Sequence, residues 1–160
     1  MKRSVLLWAA LPLLLAGCLS VGSGASGASS EGPMDQFRLG RLFERQVEKV
    51  DGGAGYMRSQ VDGIDVFLIS DPETDRVQLI LSIPMSANIT AQDLVQMLEA
   101  NFHHGLDARY ALSEGRIFAV FSHRLSTLDE DDFVAGYRQA LDLARRFASL
   151  SEGRTPGTVR

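Results

Sequence analysis

The chain has a single cysteine, Cys18, among its 160 residues. No disulfide can form within it, and a lone thiol in an exported chain is a liability unless it is used. It also lacks an apolar run of the roughly 20 residues that a membrane-spanning helix needs. The stretch from Val5 to Leu15 falls short and is interrupted by Pro12. A basic surplus is missing too, with 16 Lys and Arg against 20 Asp and Glu. That balance argues against nucleic acid and against electrostatic adhesion to anionic lipid. Arg38, Arg41, Arg45 and Lys49 fall at helical spacing, but Glu44 and Glu48 lie among them, which makes a solvated helix face. There is no G-x-S-x-G elbow. Gly52, Gly53 and Gly55 lie between a helix and a strand, the reverse of a phosphate-binding loop. No internal repeat is evident.

What is present begins at the N-terminus. Lys2 and Arg3 precede the short apolar stretch, and small residues follow it. This is the pattern of an export signal, which spans residues 1–17 and stands outside the fold. Leu15, Ala16, Gly17 and Cys18 resemble the lipobox of bacterial lipoproteins. The resemblance implies a diacylglyceryl group on the Cys18 thiol, cleavage just before it, and acylation of the new amine by a palmitate-type chain. Small Ala16 and Gly17 give a peptidase access to the backbone. One acyl chain binds a membrane only marginally, whereas two or more make a lasting anchor. Leu19 stands where an aspartate often retains such proteins at the inner membrane. Its identity favours an outer-membrane, periplasm-facing address.

Residues 18–33 hold the lipidated cysteine and a Gly/Ser/Ala-rich linker without periodicity. Fifteen residues of this kind span about 20–23 Å. The domain is therefore tethered near the membrane. Residues 151–160 read as a frayed tail. Without the signal, the chain has 14 basic and 20 acidic residues, a net charge of −6.

The remaining 34–150 segment suits one domain. Leu39, Leu42, Phe43, Val47 and Val50 recur at three- and four-residue steps and predict a helix stopped by Asp51, Gly52 and Gly53. Strands are expected over Gly55–Asp62, Ile64–Ser70 and Arg76–Ile83, with Asp62-Gly63 as a hairpin turn. Thr90 and Asp93 form a capping-box pattern, and Leu94, Val95, Met97, Leu98 and Phe102 give the helix after them an apolar side. The Asn88-Ile89-Thr90 sequon is a coincidence of that cap. Leu106–Leu112 and Arg116–His123 predict a hairpin, with Leu106, Ala108, Tyr110 and Leu112 on one face. A last helix is expected from Thr127, capped with Glu130, burying Phe133, Tyr137, Ala140, Leu141, Ala144 and Phe147 and ending near Arg145 and Arg146. The order α-β-β-β-α-β-β-α implies an α+β two-layer sandwich with a mainly antiparallel sheet.

The run TAQDLVQMLEANFHHGLDARYALSEGRIFAVFSHRLSTLDEDDFVAGYRQALDLARRF, with this element order, resembles the type III secretion chaperone-like fold and its YbjN-type proteins. The resemblance covers about residues 35–150. It implies a small acidic protein, often dimeric, with no cofactor and no catalytic residues. Chaperone members bind extended client segments. They work in the cytosol, whereas the lipobox sets this chain outside the inner membrane.

With Cys18 consumed by lipid, histidines are the remaining candidates for chemistry. His103 and His104 are adjacent, Asp107 follows, and the hairpin brings His123 opposite Leu106 or Asp107. His104, Asp107 and His123 could then cluster and hold zinc; the alternative is a set of loop and strand-end polar residues. Asp107 and Arg109 share a strand face and are placed for cross-strand pairs. Tyr56, Phe67, Phe118 and Tyr137 read as core. Asp129 to Asp132 read as a helix cap, since the spaced ligand loop of a calcium site is missing.

The reading is thus a lipid-anchored envelope lipoprotein whose domain binds a protein or peptide partner without catalysis. Cys18 is the modified residue, and no metal, cofactor or nucleic acid is expected. The alternatives are a structural envelope homodimer and, third, a small metal-dependent enzyme at His104 and His123.

Overall fold

The computed structural model describes residues 32–84 and 89–152. The signal segment 1–17, Cys18, the linker as far as Glu31, Asn88 of the sequon and residues 153–160 lie outside the described residues. The elements are α1 (Gln36–Glu44), β1 (Asp51–Gly53), β2 (Tyr56–Val61), β3 (Ile64–Asp71), β4 (Arg76–Ser82), α2 (Ala91–His103), β5 (Ala108–Ser113), β6 (Arg116–His123) and α3 (Glu130–Glu152). The expected α+β order is present, with β1 added as a three-residue edge strand. The sheet is open and antiparallel throughout, in the order β1-β2-β3-β4-β6-β5.

Local chemistry explains most boundaries. Asp35 caps α1, its carboxylate accepting the Arg38 N–H at 2.7 Å. The α1 helix ends six residues earlier than Val50, where the apolar spacing carried it. The Gln46 N–H turns back to the Phe43 carbonyl, and the Gln46 carbonyl accepts the Tyr137 hydroxyl of α3 at 3.3 Å. A tertiary partner thus takes an acceptor that a longer helix would have used itself. Val47 and Val50 still pack on the core, without being helical. The chain then pairs Asp51–Gly53 with β2, and Gly52 sits at φ +102°. A Cβ there would collide with the Tyr56 carbonyl oxygen.

Asp62-Gly63 and Glu114-Gly115 both take positive φ at each residue, the two-residue turn that suits the twist of a hairpin. Thr90 and Asp93 form the full capping box of α2. The cap of α3 is Asp129, which accepts the Asp132 N–H at 2.7 Å. The helix therefore starts at Glu130 and not at Thr127, because Leu125 and Leu128 turn inward and are buried. It also continues through Glu152, beyond Arg145 and Arg146.

Buried side chains line one face of the sheet. Met57, Val66, Leu68, Val77, Leu79, Leu81, Ile117, Ala119 and Phe121 meet Leu39, Leu42 and Phe43 of α1 and Phe133, Tyr137, Ala140, Ala144 and Phe147 of α3 in a single core. The expected α3 stripe is the buried one. Gly136 lets the helix approach closely, since a Cβ there would lie 2.5 Å from the Phe121 ring. No helix among the described residues is long and apolar enough to cross a membrane.

Candidate protein-binding surfaces

Two apolar surfaces remain outside this core. The first is the other face of the sheet. In β3 the inward residues alternate with Asp65, Phe67 and Ile69, in β4 with Gln78 and Ile80, and in β6 with Phe118 and Val120. Each is exposed or only half-buried. The strand register aligns them across the sheet. Arg58 lies opposite Phe67, Phe67 opposite Ile80, Ile80 opposite Val120, and Val120 opposite Arg109. An arginine therefore stands at each end of a three-residue apolar row. The Arg58 guanidinium lies 5.7 Å from the Phe67 ring centre, and Arg116 lies 5.6 Å from that of Phe118. Asp65 pairs with Arg58 at 3.0 Å and holds the guanidinium above its ordinary pKa. Arg116 donates to the Ser82 hydroxyl at 2.6 Å.

The second surface belongs to α2 and the chain after it. Met97 is buried, but Leu98 is 69% exposed, Phe102 83% and Leu106 79%, with Val95 about half exposed. The apolar residues of α2 therefore form a covered stripe and a bare one, where the sequence suggested a single inward side. Leu106 also leaves the β5 face on which alternation had set it, because the strand begins only at Ala108. An open depression of about 720 Å³ at the end of the sheet is lined by Asp65, Ser82, Leu94, Leu112 and Arg116 among others.

The edge of β5 is closed by side chains. The Asn101 amide accepts the Tyr110 N–H at 2.7 Å and donates to its carbonyl at 3.2 Å, as a neighbouring strand would. The Gln139 amide oxygen accepts the N–H groups of Asp107 and Ala108. These bonds satisfy an edge that otherwise invites strand pairing. They also draw Asp107 out of the ladder toward α3.

This displacement decides the histidine question. His104 closes α2, and His123 stacks on Phe121 with Nδ1 2.9 Å from the Arg124 carbonyl. His103 meets Phe102 edge-on. Among the described residues, no three His, Cys, Asp or Glu side chains come together to hold a metal. His104, Asp107 and His123 do not form the cluster that hairpin geometry allowed. Asp107 and Arg109 belong to different environments, since Asp107 precedes the strand and Arg109 projects from the open face. Of the four aromatic residues read as core, Tyr137 is buried, whereas Tyr56, Phe67 and Phe118 lie on the open face. Sequence reasoning missed the row from Arg58 to Arg109. Its signal was there in IDVFLIS, RVQLILSI and RIFAVFSH, which carry apolar residues on both alternating faces.

No family model matches the chain, and no curated protein matches it. Solved structures do. A chain of the ExsC–ExsE complex is 21% identical, with 74% of this chain and 97% of that one covered at a TM-score of 0.56. A chain of the heterodimeric ExoU–SpcU complex, from the type III secretion system of Pseudomonas aeruginosa, is 13% identical, with 71% and 98% covered at 0.56. The HopA1–SchA chaperone–effector complex gives 18% identity, 67% and 88% coverage, and a TM-score of 0.53. The chain thus has a type III secretion chaperone-like fold, as the sequence resemblance implied.

Proposed function

We propose that this chain is a lipid-anchored envelope protein whose domain holds a protein or peptide partner, in a chaperone-like way and without catalysis. The observation that carries the reading is the half-buried apolar row on the open sheet face together with the bare stripe on α2, in a fold similar to that of a solved chaperone–effector complex. Contiguous exposed apolar surface of this kind marks an interaction site. The address rests on the lipobox resemblance at Cys18 and on the linker that follows it. Leu19 favours the outer membrane. An anchored domain outside the inner membrane would hold an envelope partner and not a cytosolic export client.

The test is crosslinking of the full chain in cells followed by identification of what is captured. A discrete, reproducible partner is expected; self-crosslinks alone would sink the reading. Replacing Cys18 with Ser should move the protein from the membrane to the soluble fraction. Continued membrane binding after export would refute the anchor.

A second reading is favoured by one feature. Val95, Leu98 and Phe102 form a bare stripe along α2 with Leu106 just beyond it, as an isologous helix contact would use. This supports a structural homodimer in the envelope. Light scattering on the full chain, compared with Leu98→Ser, separates the two.

A further inference from the structure

The open face of the sheet has a chemistry that narrows its occupant. Resting on the protein-binding reading, we infer that this face takes a segment of a partner protein that is apolar at its centre and carries carboxylates at both ends. Four arginines project from the face, Arg58, Arg76, Arg109 and Arg116, against three carboxylates, Asp51, Asp65 and Asp71. The face therefore has a small positive excess on a chain with a net charge of −4. Arg109, at one end of the row, has no carboxylate opposite it in the ladder, where Val120 stands. Field complementarity of this kind selects a partner and its register.

The arrangement adds a length. Arg58 and Arg109 stand on β2 and β5, four strand steps apart through β3, β4 and β6. At about 4.8 Å per step their backbones are about 19 Å apart. About six extended residues cover that distance, or about thirteen helical ones. Between them the segment meets Phe67, Ile80 and Val120, and desolvation there strengthens the charged contacts at the ends. The stacking of Arg58 on Phe67 and of Arg116 on Phe118 orders guanidinium groups before binding. A planar guanidinium meets a carboxylate with two parallel hydrogen bonds.

A second copy of this face is a poor occupant, since it would oppose two arginine-rimmed surfaces. Nucleic acid is disfavoured by the acidic remainder of the chain. The bare stripe of α2 has no comparable arginine frame, which is why the carboxylate-flanked segment is assigned to the sheet.

The test uses the full chain in mild detergent and labelled synthetic peptides. One apolar-centred sequence is made in lengths of about six and about thirteen residues between its end groups. Each length is made with Glu or with Lys at both ends, and binding is read by fluorescence anisotropy. The Glu-ended peptide of one length is expected to bind at least tenfold more tightly than its Lys-ended twin, with the difference shrinking as salt rises. The double variant Arg58→Glu, Arg109→Glu should reverse the order, and Leu98→Ser should leave it unchanged. Equal binding of the twins, an unreversed order, or tighter binding of a single-stranded DNA oligomer would each overturn the inference. A photo-crosslinking residue placed in cells at Ile80 or at Leu98 separates the two levels of the argument. A discrete partner captured only from Leu98 overturns this assignment and leaves protein binding standing. No discrete partner from either position counts against both.

Discussion

Leu79 and Ile80 are neighbours in β4 and nearly equal in size and hydrophobicity, yet one is wholly buried and the other only half-buried. The same contrast runs through the three central strands β3, β4 and β6. Val66 and Phe67, Ile117 and Phe118, and Ala119 and Val120 divide in the same way. At these paired positions hydrophobicity alone does not distinguish the two faces. What distinguishes them is that α1 and α3 supply a second layer on one side and nothing among the described residues supplies one on the other. One face therefore serves stability, and the other is free for recognition.

The most forceful way to sharpen this comparison is to truncate both neighbours. Leu79→Ala should destabilise the fold by about 3 kcal/mol, from lost burial plus the cavity left behind. Ile80→Ala should cost about 1 kcal/mol or less, because water already reaches the site. Parallel urea titrations measure both, and equal losses would erase the distinction.

Next in size is Gly136→Ala. Helix propensity alone favours alanine by about 1 kcal/mol. The Phe121 ring against the helix backbone should reverse that sign, giving a net loss of about 2 kcal/mol from overpacking. A gain in melting temperature would show that α3 can shift off the sheet.

Tyr110 offers a pH-dependent handle on the buried side. Its hydroxyl donates to the Leu143 carbonyl at 2.7 Å, and burial pushes its pKa up to about 12 from 10.0. The folded state thus holds the proton more tightly than the unfolded one. That contribution is fully present below about pH 10 and is lost as pH rises through the folded value near 12. Tyr110→Phe should remove this part of the alkaline decline and cost about 1 kcal/mol at neutral pH for the missing hydrogen bond. An unchanged pH profile in the variant would contradict the assignment.

The smallest effect belongs to the bare stripe of α2. Phe102→Ser should change stability by no more than about 0.5 kcal/mol, as for other exposed positions. A large loss would mean that Phe102 is covered, which would favour the homodimer.

Much of the fold was legible because its signals are local. β6 runs from Arg116 to His123 as read, β2 differs from the reading by one residue at each end and β3 and β4 by one residue at one end, and α2 begins at its expected capping box. Helix α1 misled because Val47 and Val50 contact the core at helical spacing without helical backbone; Tyr137, 91 residues away from Gln46, satisfies the carbonyl where the helix has stopped. The candidate site was less legible. The histidine cluster required Asp107 to stay in the ladder, and Gln139 on α3 removes it. Phe67 and Phe118 looked like core residues because hydrophobicity alone does not say which face a helix will cover.

The sequence by itself determined the turns, the caps and the alternation of the strands. Asp62-Gly63, Glu114-Gly115 and Thr90 with Asp93 act within a few residues, so the chain needs nothing distant to form them. It also carries, at Cys18, the resemblance on which the proposed address rests. Only the tertiary structure decided which apolar residues are spent on the core and which remain for a partner. That choice depends on where α1 and α3 come to rest and on the Asn101 and Gln139 amides that close the β5 edge. Burial requires a second surface, and no window of sequence contains both surfaces at once.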